Sequence, residues 1–458
     1  MRGVIACLFT LWILLLIIGG FFCYVLLFRD GAQLTDYFSS PFVNTEVMYL
    51  LLAFCILLLV SVAVLIGSAN RTVKTLQKIC RAWERYEKKS IKKKAKTGPR
   101  FNMLNMIDRE YERPHTPKGG YDQEISLEGL CERFRNYAAM HEGRFYRIED
   151  IRRFIAGLGV SRLMILQGMS GTGKTSLAYA MGRFLHNDSV VVPVQPMWKE
   201  RSDLIGYFNE FTKRFNETTL LRKMYEAGYR KDLYITILDE VNISRIEYYF
   251  AEFLSLLEIP DENKRYLDVV SDVWPNDPQK LDHGRILLPS NMWFIGTANN
   301  DDSTFAISDK VYDRAMVISL EHKCEPFEAE DADPIYLSHE HWSKLIREAS
   351  ENYALSEASS RKIHDLDRYL IEIYHFSFGN RIMEQMKEYV PILIACGGPE
   401  EQAIDDILVR KVLRKLESQN PSYIRNTVDG LRDHLIQLFD AQAIPQCLEY
   451  LEMLKNTL

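Results

Sequence analysis

The 458-residue sequence predicts an α/β fold: a parallel sheet with helices on both faces, followed by an all-helical domain and preceded by a transmembrane helical hairpin. Three observations predict it. Two stretches near the amino terminus, 4–28 and 47–69, carry no charged side chain. Five short apolar runs alternate with helical segments through the middle of the chain. After about residue 335 the strand pattern stops and helical periodicity alone continues.

The uncharged stretches come first. Each exceeds the roughly 20 apolar residues that cross ~30 Å of hydrocarbon. A secretory signal has a shorter apolar core, about 7–15 residues, and no small-x-small cleavage site follows the first stretch. Residues 1–70 are therefore expected to hold two spans, about 4–28 and 47–69, with a short external loop. Their flanks set the orientation. Arg71 to Arg100 contains twelve Lys or Arg against Glu84 and Glu87, whereas the loop between the spans holds Arg29 against Asp30, Asp36 and Glu46. The basic side stays in the cytosol. A two-pass protein of the cell (inner) membrane follows, with both termini in the cytoplasm. The basic linker, 71–124, can also lie on anionic headgroups, at about 1 kcal/mol per basic residue. A DNA-binding tail is the rival reading, and its position directly after a span weighs against it.

Charge then reverses. Residues 101–458 carry 42 basic and 57 acidic side chains. Direct nucleic-acid binding rests on clustered Lys and Arg, so this balance argues against it unless a basic channel forms on assembly. Eight cysteines occur without a CxxC pair. This is the usage of a reduced, cytosolic soluble part with no zinc site or disulfide framework.

The apolar runs are LMIL at 163–166, VVVPV at 190–194, YITIL at 234–238, MWFIG at 292–296 and MVISL at 316–320. Continuous rather than alternating apolar strands indicate a parallel sheet covered on both faces. Their alternation with helices gives the α/β class. The domain they build is expected over 125–330. A helical pattern over about 125–158 leads into it, with Leu127, Leu130, Phe134 and Tyr137, then Ile148, Ile151 and Phe154. Residues 331–458 form the helical domain, with segments such as RKIHDLDRYLIEIYHF, RIMEQMKEYVPILIAC and DDILVRKVLRKLES.

The chemistry-bearing motifs follow the strands. GMSGTGKT at 168–175 fits G-x-x-x-x-G-K-[ST] and stands between an apolar strand and the helix TSLAYAMGRFL. Glycines let backbone N–H groups wrap a phosphate, Lys174 reaches β/γ oxygens, and the Thr175 hydroxyl takes Mg²⁺. The helix N-terminus favours anions. Gly168, Ser170, Gly171, Thr172, Gly173, Lys174, Thr175 and Ser176 are the candidate nucleotide-binding residues. Asp239 and Glu240 end the third strand. A carboxylate there can hold Mg²⁺ through water, and the next one can polarise an attacking water. Asn299 ends the strand of WFIGTANN, where a polar side chain can orient the water or touch the γ-phosphate. Arg314 lies just before the last strand. On an isolated subunit it is an ordinary surface arginine; within a ring it can reach a neighbour's γ-phosphate.

Taken together, LQGMSGTGKTSL, LDEVN, FIGTANN, VYDR and FGNRIMEQ make residues 125–458 resemble the AAA+ NTPases, in the dynein-related branch of MoxR and McrB types. The resemblance implies a P-loop NTPase fold with a helical lid, a homo-oligomeric ring, by family a hexamer, and nucleotide sites at subunit interfaces. It implies Asn299 as sensor one, Arg314 as a finger acting in trans, and Arg381 as the sensor-two arginine of the lid. Two departures stand out. The branch often shows DE-x-N-R, but here Ile243 follows Asn242 and the next arginine is Arg245. Sensor one is followed by Asn300, Asp301, Asp302 and Ser303 rather than the McrB-type Thr-Ala-Asp-Arg. ATP with Mg²⁺ is favoured, and GTP stays open. The stretch 195–211 resembles a segment that approaches the central channel in relatives. Trp198, Leu204, Ile205 and Tyr207 could grip a substrate there, or pack among themselves.

A membrane-tethered nucleoside triphosphatase that remodels or switches a partner is the leading expectation. The alternatives are an NTPase subunit driving a separate nuclease or effector of a restriction or defence complex, and a nucleotide-gated membrane switch with little hydrolysis.

Overall fold

The computed structural model describes residues 41–96, 98–112, 120–299, 304–321 and 323–457, together with positions 19 and 117. The chain divides into two compact units, Met1–Lys93 and Lys94–Leu458.

One helix, nearly all of it in the first unit, runs from Pro41 to Lys96, 56 residues, or about 84 Å at 1.5 Å per residue. Among the described residues it is the one helix long and apolar enough to cross a membrane, by length and composition. Leu52, Ile56, Leu59 and Val60 on it are exposed. The expected first span, 4–28, and with it the expected hairpin, lies outside the described residues apart from Gly19. The helix continues through the basic flank because Lys, Arg and Glu are good helix formers. Gly98, at φ 82, and Pro99 follow it, as helix-stopping residues do.

The second unit starts earlier than composition suggested. Arg100, counted above with the basic flank, is 2 % exposed, pairs with Asp272 and Asp277 at 2.8 and 2.7 Å, and lies over the Trp274 ring. It is thus held inside the protein rather than offered to headgroups. Phe101 stacks on Phe215. In the following helix, Met103–Glu110, Asp108 accepts hydrogen bonds from the Tyr225 and Tyr229 hydroxyls at 2.5 and 2.6 Å. Part of the expected 71–124 linker therefore belongs to the globular unit.

Ten strands follow among the described residues: β1 (Leu163–Gly168), β2 (Val190–Pro193), β3 (Gly206–Asn209), β4 (Arg214–Glu217), β5 (Tyr234–Asp239), β6 (Tyr266–Asp268), β7 (Leu281–Asp282), β8 (Arg285–Leu287), β9 (Met292–Asn299) and β10 (Met316–Ser319). The five predicted runs are β1, β2, β5, β9 and β10, and they form one sheet in the order β10-β1-β9-β5-β2. Every neighbouring pair is parallel. Successive side chains go to opposite faces. Leu163 and Ile165 enter one core with Phe250 and Phe253, while Met164 and Leu166 enter the other with Phe154 and Leu177. The 125–158 pattern is two helices, Leu127–Glu142 and Ile148–Val160, divided where Gly143 turns left-handed at φ 60.

Two small sheets were not foreseen. β3 and β4 make an antiparallel hairpin, and β6, β8 and β7 make a three-stranded sheet. Gly206 opens the hairpin at φ 100, where a Cβ would come within 1.8 Å of the Asn216 carbonyl oxygen. No other residue fits there.

Beyond residue 338 the described structure is helical: His339–Asn352, Glu357–Tyr374, Gly379–Ala395, Glu400–Ile407, Pro421–Phe439 and Pro445–Thr457, with a wider and then a tighter turn over 408–418. Ser338, Ser356 and Asn420 cap their helices through side-chain oxygens, satisfying donors that a helix start leaves open. This region packs on Ile148–Val160, where Arg153 bridges Asp150 and Asp406 at 3.0 and 2.8 Å.

Candidate active site

The parallel sheet puts the carboxyl ends of β1, β9 and β5 side by side, and the polar motifs all leave from those ends. Gly168 is the last residue of β1, in register with Asn299 at the end of β9. Its φ is 144, and a Cβ would sit 2.5 Å from the Leu320 carbonyl oxygen. Only glycine lets the chain turn there into the loop. Gly171 and Gly173 are also left-handed, at φ 81 and 91. The Thr172 hydroxyl donates to the Met169 carbonyl at 3.1 Å, and the Tyr146 hydroxyl donates to the Gly173 carbonyl at 3.0 Å.

The helix Lys174–Phe184 starts from this loop with no acidic residue in its first turn. Its first N–H groups and its dipole thus favour an anion. Ser170 is exposed in the loop, and Ser176 is half-buried in the first turn of the helix. The Lys174 side chain is buried, and its ammonium donates to the Gly168 and Met169 carbonyls at 2.9 and 2.7 Å. A cation held across the loop can turn to phosphate oxygens entering the same cradle.

Two hydroxyls converge on Asp239. Thr175 Oγ1 donates to Asp239 Oδ1 at 2.9 Å, and Thr297 Oγ1, from β9, donates to the same oxygen at 2.7 Å. Thr297 Oγ1 also accepts from the Glu240 backbone N–H at 3.0 Å. One buried hydroxyl therefore fixes both acidic residues. Glu240 has φ 56, a conformation uncommon outside glycine, and its side chain is exposed at the rim of the site. The oxygens of Thr175 and Asp239 form a hard donor set that suits Mg²⁺. The sequence reading missed Thr297. Its signal was a hydroxyl inside the otherwise apolar run MWFIG-Thr-Ala.

Asn299 is half-buried; its backbone carbonyl accepts from Asn242 Nδ2 at 2.8 Å and Thr304 Oγ1 at 3.0 Å. With Gln167, Tyr312, Arg410 and Arg414 it lines a cavity of about 350 Å³ between the sheet and the helical region. Residues 300–303, next to it, lie outside the described set.

The two candidate arginines lie elsewhere. Arg314 is at the amino end of β10, where its carbonyl accepts from Ser161 Oγ at 3.0 Å, just before β1. Two residues later Met316 pairs with Met164, four residues short of Gly168, so about 13 Å of strand intervenes. Arg381 pairs with Glu258 at 2.8 Å, and so does Arg314. The structure therefore places the expected lid arginine beside Arg314 and not beside the phosphate loop. The 195–211 candidates divide. Leu204 and Ile205 are buried on the capped helix Arg201–Ile205, and Trp198 packs edge-on against Tyr249. These three are held in packing, whereas Tyr207 is exposed. Phe211, at the hairpin turn and not among the candidates, is 99 % exposed.

Comparison with known proteins follows the same division. Residues 163–315 match the family described as AAA domain (dynein-related subfamily). Residues 331–458 match a domain of unknown function, DUF8727. No curated protein matches the chain. A solved structure from Cytophaga hutchinsonii ATCC 33406, described as a "putative ATPase", is similar at 15 % identity and a TM-score of 0.42, covering 76 % of this chain and 97 % of that one. The family match and the five-stranded parallel sheet support an AAA+ nucleoside triphosphatase, a class that binds nucleotide, usually with Mg²⁺.

Proposed function

We propose that the protein is a membrane-anchored ATPase whose soluble units assemble into a homo-oligomeric ring, hexameric by family resemblance, and hydrolyse ATP at subunit interfaces to remodel or switch a partner. One observation carries this reading. Lys174, Thr175, Asp239 and Glu240 gather at the carboxyl ends of β1 and β5, while Arg314 is held at the amino end of β10. A cation that far from its own phosphate loop suits a neighbour's triphosphate. The anchor rests on the helix Pro41–Lys96, with its exposed apolar stretch and basic continuation, and on the uncharged residues 4–28 and 47–69. The proposed location is the cell (inner) membrane, with both termini and the ring on the cytosolic side.

The residues divide the work. Lys174 turns from the loop carbonyls to the β and γ oxygens and neutralises them. Thr175 and Asp239 would hold Mg²⁺, which supplies charge neutralisation across the β and γ phosphates when bound. Asn299 orients the attacking water. Glu240 takes a proton from that water as its oxygen bonds to the γ-phosphorus. The bridging oxygen leaves on ADP with the electron pair of the broken bond. Arg314 of the adjacent subunit stabilises the charge that develops on the transferring group.

Phosphate release by the full chain in detergent micelles, with ATP and with GTP over a range of protein concentrations, tests this. Specific activity is expected to climb with concentration, with ATP the faster substrate. A rate per subunit independent of concentration would overturn interface catalysis, and a faster GTP rate would reverse the base preference.

Thr297→Val follows from the same geometry. It keeps the side chain's shape but removes the hydroxyl that holds Asp239 and Glu240. Losing a hydrogen bond to a charged group costs about 1.5–3 kcal/mol of stability, so the unfolding temperature is expected to drop, and turnover, which needs both acidic residues held in place, to fall roughly ten- to hundredfold. Turnover at the wild-type rate would remove Thr297 from the site.

A further inference from the structure

We infer that Glu258 is a positioning residue that gathers Arg314 and Arg381 into a single two-guanidinium edge for the nucleotide of the adjacent subunit, an inference that rests on the ring reading above. Glu258 directly follows the helix Ala251–Leu257. Its Oε2 accepts from Arg314 Nη2 and its Oε1 from Arg381 Nη2, both at 2.8 Å. The two arginines come from different parts of the unit, the turn before β10 and the first turn of Gly379–Ala395. One carboxylate offsets one guanidinium, so the trio keeps a net positive charge. The arginine side chains remain 25 % and 55 % exposed. Arg314's hydrogen bond, against partial desolvation, holds the Glu258 carboxyl below its usual range. The Glu258 carboxyl is therefore ionised at neutral pH.

The backbone beneath the edge is also fixed. Gln385 Nε2 donates to the Asp313 carbonyl at 3.0 Å, and Lys411 Nζ to the Ala315 carbonyl at 2.6 Å and to that of Tyr312. Arg414 pairs with Asp309 and stacks 3.8 Å over the Tyr312 ring. The helical region thus grips the segment carrying Arg314 from Asp309 to Ala315. The Arg314 head is held further by a hydrogen bond from Nη1 to the Lys310 carbonyl at 2.7 Å, and the Arg381 head is the more exposed of the two. Long side chains lose rotamer freedom on binding, and gathering them beforehand lowers that cost. Guanidiniums pair through two N–H groups with carboxylate and phosphate oxygens alike, so one oxyanion can replace the other. Arg381 then works beside Arg314 across the interface rather than over its own subunit's loop.

The test uses the full chain in micelles and follows ATP turnover. Glu258→Gln keeps the shape and loses the charge. Its kcat is expected to fall at least tenfold with KM within about twofold, because its own phosphate loop is untouched. Mixed in equal amounts with Glu240→Gln, it is expected to recover up to about a quarter of the wild-type rate by random assembly. There the intact edge of a Glu240→Gln subunit completes the site of its Glu258→Gln neighbour. Arg314→Ala mixed with Glu240→Gln is the reference. Recovery in both mixtures supports the assignment. Recovery with Arg314→Ala but not with Glu258→Gln, or wild-type turnover by Glu258→Gln alone, overturns it and leaves the ring standing. Recovery in neither mixture overturns the ring reading and this inference with it. If Glu258→Gln unfolds at a markedly lower temperature, Glu258→Asp, which keeps the charge, carries the same mixing test.

Discussion

Arg314→Ala is expected to lower ATP turnover by about 10³–10⁵, the range measured for arginine fingers in phosphoryl transfer. Nucleotide affinity should be nearly unchanged. The two halves of this expectation have separate causes. In the proposed site, affinity belongs to the loop at the end of β1, with Lys174 and the start of its helix toward the phosphates, while Arg314 lies at the other end of the sheet. In the proposed ring, turnover depends on charge that develops on the γ-phosphoryl group, met by a guanidinium from the amino end of a neighbour's β10. Arg314→Lys should recover little, because an ammonium lacks the planar fork that binds two oxygens at once. Single-turnover hydrolysis beside a binding measurement with a slowly hydrolysed analogue checks both halves. Turnover within tenfold of wild type would return Arg314 to a structural role, holding Glu258. A matching loss of affinity would place it in its own subunit's pocket.

The legible and illegible parts of this protein divide along physical lines. A strand buried on both faces in a parallel sheet is a continuous apolar run, so β1, β2, β5, β9 and β10 could be found by inspection. Ligand-facing residues leave such strands at their carboxyl ends; Asp239, Glu240 and Asn299 were proposed on that ground, and Lys174 from the spelling of the loop after β1. The strands of the β3–β4 hairpin and the β6-β8-β7 sheet are two to four residues long, too short for a period to register. Leu204 and Ile205 show another limit, because an apolar side chain has the same spelling whether it grips a substrate or fills a core. Arg100 was counted as a lipid-facing charge because its partners, Asp272 and Asp277, are more than 170 residues away. Glu258 was missed for the same reason, lying 56 residues from Arg314 and 123 from Arg381. Long-range ion pairs leave no local pattern.

Glu240→Gln is expected to bind ATP as the wild type does and to turn it over about 10²–10⁴ times more slowly, the usual weight of a general base. The amide has the carboxylate's shape, so the left-handed turn at φ 56 and the backbone hydrogen bond to Thr297 are retained. Lys174, Thr175 and Asp239 keep every contact described here. What goes is the ability to take a proton from the attacking water. Asp239→Asn makes the informative contrast. It weakens the donor set beside Thr175, and so should depress Mg²⁺-dependent binding as well as rate. Each measurement pairs nucleotide affinity, with and without Mg²⁺, against phosphate release by the same preparation. If Glu240→Gln hydrolyses ATP within tenfold of wild type, the proton acceptor lies elsewhere on the rim, and the position after Asp239 serves the turn and not the chemistry.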